Sequence, residues 1–289
     1  QTLVTMASGQ DKTVLTLFAL LSRVKKTRKR EGNIMTEGMR MESDSIGTME
    51  VPKEAYYGVQ ALRAKQNFPI TGQSLHPVFI RNLAKVKKAA AQSNRNALAL
   101  PADKAEAIIR ACDEVIRGCF ADEFIVDAIQ GGAGTSANMN MNEVLANRAN
   151  EWMGGRKGDY SRIHPNDHVN MSQSTNDVIP TAGKLTVLEL LKPLLAELDE
   201  LERELRIKAA EFDGILKMGR TQLQDAVPMR LGQTFHAYAT MVKRDYERLK
   251  EVRCEMFTVN LGGTAIGTAI NVSPAYFSTV EPTLAKITG

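Results

Sequence analysis

Apolar residues recur every three or four positions over most of the chain, the spacing of helices that bury one face. Phe79, Leu83, Val86 and Ala90 form one such stripe and predict a helix over 76–100. Ile108, Ile109, Cys112, Val115 and Ile116 predict a second over 101–117, opened by Pro101 and ended by Gly118. A third is expected over 137–153, with Met141, Val144, Leu145 and Trp152 turned inward, Ser136 as its cap and Gly154-Gly155 as its stop. The stripe then lengthens. Leu185, Leu188, Leu191, Leu195, Leu198, Leu201 and Leu205 predict a helix over 180–210, about 45 Å long at 1.5 Å per residue, which Pro193 should bend slightly or divide. A second long run covers 231–256 through Phe235, Tyr238, Val242, Leu249 and Val252, and a further helix starts near Pro274. Residues 44–60, with Gly47, Pro52 and Gly58, lack this period and are expected to be extended or looped. No segment alternates convincingly enough to predict a strand.

Two long helices bury one seam between them, so other helices must cover their remaining faces. The expected fold is mainly α, with the pattern changing near Thr175 from shorter helices to long ones that belong in a bundle.

Three polar segments interrupt the apolar pattern. Gln130-Gly131-Gly132-Ala133-Gly134-Thr135-Ser136-Ala137-Asn138 places loop amides and hydroxyls ahead of a helix, an arrangement that suits either an anion or a plain turn with a cap. It lacks the preceding strand of a dinucleotide site and the Gly-Lys-Ser/Thr ending of a P-loop. Residues 166–177 are dense in amides and hydroxyls, and Ser174, Thr175 and Asn176 either present donors to a carboxylate or cap the long helix. His168 either tunes a proton equilibrium or is simply hydrogen-bonded. Gly219-Arg220-Thr221-Gln222-Leu223-Gln224-Asp225-Ala226-Val227-Pro228 is expected as the loop between the two long helices, with Arg220 and Asp225 as a candidate structural ion pair.

Composition narrows the classes. The 289 residues are 43% hydrophobic and 24% charged, with only 6% aromatics, a globular profile. No apolar run reaches the roughly 18 residues of a membrane helix, so no stable membrane insertion is expected. The net charge of +4 is carried by residues 1–34, where Lys12, Arg23, Lys25, Lys26, Arg28, Lys29 and Arg30 face only Asp11 and Glu31. The rest is nearly neutral, which argues against nucleic acid as a partner. The apolar stretch 14–21 precedes the basic run 23–30, the reverse of a secretory signal. Arg30-Glu31-Gly32 can be encoded as a purine-rich ribosome-binding site ahead of Met35, so residues 1–34 are expected to be a disordered or non-native extension. Three cysteines without a C-x-x-C pair fit cytoplasmic thiols, and four histidines in no ligand motif give no reason to expect a metal or another cofactor.

The segments Asp44-Ser45-Ile46-Gly47, 51–60, 131–147, 164–177 and 217–228, in that order, resemble the aspartase/fumarase superfamily over about 41–289, and its aspartase members most closely. Gln222 stands where the fumarase pattern has His and several aspartases have Gln. The resemblance implies an N-terminal helical domain over 35–175 followed by the start of a long central helical bundle over 176–289, and a homotetramer built around a helical core, with active sites shared between subunits. It implies reversible elimination of ammonia from L-aspartate to give fumarate. Thr135, Ser174 and Thr175 would bind the β-carboxylate; Asn176, Thr221 and Gln222 would surround the α-amino and α-carboxylate groups. Removing the weakly acidic Cβ proton builds an aci-carboxylate dianion, which neutral donors and helix dipoles stabilise more than the ground state. The family's base is a serine in a mobile G-S-S-x-x-M-P-x-K-x-N loop, expected beyond residue 289, so no catalytic residue is nominated here and the 289-residue chain alone is expected to be inactive. Fumarate hydratase activity and a non-catalytic helical assembly protein are the alternatives.

Overall fold

Small and aliphatic residues that face one another build the core between the shorter helices. In the computed structural model, which describes residues 38–289, α1 (Val59–Asn67), α2 (Pro77–Asn96), α3 (Ala102–Ile116) and α4 (Thr135–Trp152) follow a short hairpin of β1 (Met39–Asp44) and β2 (Gly47–Pro52). Leu83 and Val86 of α2, Ile108 and Cys112 of α3, and Met141 and Leu145 of α4 are fully buried in one cluster. The expectation for residues 1–34 lies outside the described residues.

The long helix α5 spans Thr175–Glu211, 37 residues with Pro180 and Pro193 inside it. Its first part packs on α2 and its later part on α6 (Leu231–Val252), where Phe212 and Phe235 meet edge to face at 5.1 Å. The last helix, α7 (Pro274–Thr288), returns to α2 and adds Tyr276, Val280 and Leu284 to the core. Val187, Leu190, Leu194, Leu201 and Ile207 on α5, with Tyr238, Met241 and Val252 on α6, remain exposed. The two long helices thus cover one seam and leave apolar faces open.

Four expectations need correction. The chain does form strands. In β1–β2, the Asp44 carboxylate accepts the Ile46 and Gly47 amides at 2.9 and 3.0 Å and closes the turn. The segment between the long helices is also a hairpin, β3 (Leu216–Thr221) with β4 (Gln224–Arg230), turning at Gln222 and Leu223, both at positive φ. Almost every position of that hairpin is exposed, so no alternation marks it. Ser136 does not cap α4; Gly134, at φ 94°, holds that position. Trp152 is not turned inward. It is 40% exposed and lies between the Arg110 and Arg148 guanidinium groups, 3.7 and 4.6 Å from its ring centre.

Glu143 of α4 anchors the start of α1. Its carboxylate accepts the Gly58, Gln60 and Ala61 amides at 2.9, 2.8 and 3.0 Å, while Glu42 accepts that of Val59 at 3.0 Å. Two carboxylates thereby satisfy amides that a helix start leaves unpaired. A side chain at Gly58 would come within 2.7 Å of Glu143. Burial pushes the Glu143 carboxyl up to about 7 against the pull of the three amides, and the neighbouring Glu42 pushes it the same way. A Glu143→Gln amide must turn an N–H toward these donors. The substitution should lower stability by about 1–3 kcal/mol; an unchanged denaturant midpoint would contradict this capping role.

Candidate active site

The start of α4 is made by a turn that only small residues can form. A Cβ at Gly131 would lie 2.5 Å from the Phe68 ring, and one at Gly134 would lie 2.9 Å from Ile179 of α5. Gln130 Oε1 accepts the Ala137 amide at 2.7 Å. Thr135, the first residue of α4, is exposed, and its hydroxyl has no hydrogen-bond partner among the described residues.

The start of α5 lies beside it. Asn138 Nδ2, one turn into α4, donates to Thr175 Oγ1 at 3.2 Å. Ser174 is the N-cap of α5: its Oγ accepts the Asn176 amide at 3.2 Å, and Asp177 Oδ1 accepts the Ser174 amide at 2.9 Å. The capping alternative is therefore realised at Ser174. Capping uses an oxygen lone pair and leaves the hydroxyl proton free to donate, and the same holds for Thr175. Asn176 Nδ2 donates to Ala265 O at 2.8 Å, which leaves Oδ1 as an acceptor. Two helix starts therefore set neutral donors side by side with their positive dipole ends.

Behind this surface lies a buried polar hub. Asn170 Oδ1 accepts from Lys87 Nζ at 2.8 Å, Asn138 Nδ2 at 3.1 Å and Asn142 Nδ2 at 3.3 Å. Asp177 is buried as well, and its Oδ2 accepts the Gly262 and Thr264 amides at 3.3 and 3.0 Å. Burial raises the Asp177 carboxyl, while the amides and Lys87 oppose the rise. Within the polar segment that leads to α5, Pro165–Val169 forms a π-helical turn. His168 is a hydrogen-bonded residue of that turn, accepting the His164 amide at 2.8 Å. Burial, followed by Lys104, lowers its pKa.

Sequence reasoning missed Lys87, Asn142 and the 260–265 segment, and gave Asn138 and Asn170, within the polar segments, no role of their own. A signal existed for each kind. Lys87 stands four residues after Leu83, a charge on a buried stripe, and Leu261-Gly262-Gly263-Thr264 is a further Gly-containing segment between helices.

Thr221 and Gln222 are not brought to these residues. They occupy the turn of β3–β4, where Arg220 and Asp225 form an exposed ion pair at 3.2 Å. That hairpin follows the far end of α5, about 55 Å from Ser174 at 1.5 Å per residue. A six-residue strand folded straight back would recover only about 20 Å. Within one chain the six candidate residues form two separate groups. Among the described residues no group of three or more His, Cys, Asp or Glu is placed to hold a metal ion, and no helix is long and apolar enough to cross a membrane.

Known proteins resemble this chain in sequence and fold. A family model described as Lyase matches residues 47–289. Aspartate ammonia-lyase of a Bacillus species is 53% identical over 255 residues, covering 88% of this chain and 54% of the relative. That of Pseudomonas aeruginosa is 55% identical over 253 residues, covering 86% and 53%. The chain spans about half the length of the curated relatives it matches. Among solved structures, a fumarate lyase:delta crystallin from Brucella melitensis superposes with a TM-score of 0.81 at 50% identity, covering 87% of this chain and 55% of that one. A class II fumarase from Schistosoma mansoni superposes with a TM-score of 0.79 at 36% identity, covering 86% and 53%. From the match over 47–289 and this shared helical fold, the chain belongs to the Lyase family, within the aspartase/fumarase superfamily.

Proposed function

We propose that the protein is an aspartate ammonia-lyase, eliminating ammonia reversibly from L-aspartate to give fumarate. The observation that carries this reading is the pairing of the α4 and α5 starts, which presents the Thr135, Ser174 and Thr175 hydroxyls beside two positive dipole ends. Such a surface suits a carboxylate that gains a second negative charge. Neutral donors hold the ground-state anion moderately and the aci-carboxylate dianion more strongly, which is the differential binding that accelerates a reaction. Asn176, held by Ala265 O, keeps an amide oxygen available to accept from the substrate ammonium. The relatives named for aspartate support the amino acid over the hydroxy acid, as does Gln222.

Thr221 and Gln222 enter the proposal from another copy of the chain. The separation along α5 requires it if all six residues serve one site, and the exposed apolar faces of α5 and α6 suit packing against further copies. A homotetramer is therefore part of the proposal, as is a cytoplasmic location, which the free thiols of Cys112, Cys119 and Cys254 suit. The proposed general base is the serine of a G-S-S-x-x-M-P-x-K-x-N loop, a pattern the 289 residues do not contain. What this chain contributes is binding and charge stabilisation.

In the full-length enzyme, Thr135→Ala and Ser174→Ala should each lower kcat by about 100-fold, as loss of one oxyanion donor does elsewhere, with a smaller change in KM. Fumarate absorbance measures both, and wild-type kcat in both variants would remove the role assigned to these hydroxyls. Gln222→His should not create a hydratase, because ammonium and hydroxyl leaving groups differ in charge and in the proton they need. Malate formation at a rate rivalling deamination would refute that.

A further inference from the structure

Lys87 is the least expected residue in the hub. It is a lysine with 0% exposure in the middle of α2, and its ammonium makes one hydrogen bond, to Asn170. No ion pair joins it to a carboxylate among the described residues; Asp177 acts on it only at longer range. The groups facing it are Asn170, Cys112 of α3, whose thiol burial keeps protonated, and Asp177 of α5, whose carboxylate is occupied by backbone amides.

An isolated buried charge opposes folding, and apolar replacement of buried ions is often neutral or stabilising. This one also lies behind two helix starts whose dipoles already make the region positive. Burial drives the ammonium down to about 7 although Asp177 pulls it up. Such a placement opposes stability and favours an anion bound in front of it.

We propose that Lys87 is a positioning residue of the anion site: through Asn170 and Asn138 it fixes the Thr175 hydroxyl, and its buried charge favours the doubly charged form of the bound carboxylate. The chain of contacts is short. Lys87 Nζ holds Asn170 Oδ1 at 2.8 Å, that oxygen holds Asn138 Nδ2 at 3.1 Å, and the same amide nitrogen reaches Thr175 Oγ1 at 3.2 Å. Asn138 Oδ1 is itself buried with no protein partner, so the amide is oriented through its nitrogen alone. Lys87 touches no substrate atom in this scheme; it acts through Asn170 and through its field.

The inference rests on the ammonia-lyase reading, and the experiment separates the two. In the full-length enzyme, Lys87→Met should lower kcat by about 10- to 100-fold while KM for aspartate moves less than about threefold. Its melting temperature should be equal to or above that of the wild type, because a buried charge is gone. Asn170→Asp, nearly isosteric, neutralises the Lys87 charge in place and should lower kcat in the same way; it decides the matter if Lys87→Met does not fold. A wild-type enzyme that forms no fumarate from aspartate sinks the reading and the inference together. An active wild type whose two variants keep its kcat sinks the inference alone, as does a Lys87→Met variant that loses only thermal stability.

Discussion

A helix of 37 residues is a rod, and the position of every polar segment follows from the end of α5 it occupies. At the near end Ser174, Thr175 and Asn176 meet the start of α4. At the far end the chain turns through β3–β4 and enters α6. Nothing in one chain can shorten that distance, so a site that uses both ends has to be assembled from more than one copy. The apolar faces left open along α5 and α6 belong to the same constraint: a rod this long cannot be covered by the α2–α4 body at one end and a single partner helix at the other.

The near end is held by buried polar groups as well as by the aliphatic packing of Val178 and Ala182 in the core. Asp177 ties the first turn of α5 to the 262–264 backbone, Asn176 ties it to Ala265, and Asn170 ties α2, the π-helical turn and α4 together. Hydrogen-bonded hubs of this kind define one geometry more sharply than apolar contact, because each displaced group would lose its partner in a medium that offers no replacement. Glu143 does the same for the start of α1. Precise placement of hydroxyls is what a site for a developing dianion needs.

The helices were legible because burial imposes a period. Leu83, Val86, Ile108, Cys112, Met141 and Leu145 lie in the core as their spacing predicts. The β3–β4 hairpin was not legible, since almost every position in it is exposed, and in β1–β2 one of the two buried positions is a carboxylate, Glu42, which breaks the apolar alternation. Trp152 misled for a related reason: two arginines cover its faces, and burial does not. At the site, the hydroxyl and amide clusters stood out by composition, but the groups that hold them are scattered over α2, α4 and the 260–265 segment, and only the folded chain joins them. The separation of Gln222 from Ser174 could have been computed from the predicted helix length alone.

Mixing two variants, one altered at each end of α5, tests the central claim, that residues from opposite ends of α5 act in one site only when contributed by different copies. Ser174→Ala and Gln222→Ala versions of the full-length protein, each expected to lose most of the proposed activity, are unfolded together in equal amounts and refolded. Random assembly gives about a quarter of the sites an intact residue from each copy, so the mixture should regain about a quarter of wild-type activity. A mixture no more active than the variants refolded separately would mean that the two ends of α5 do not share a site.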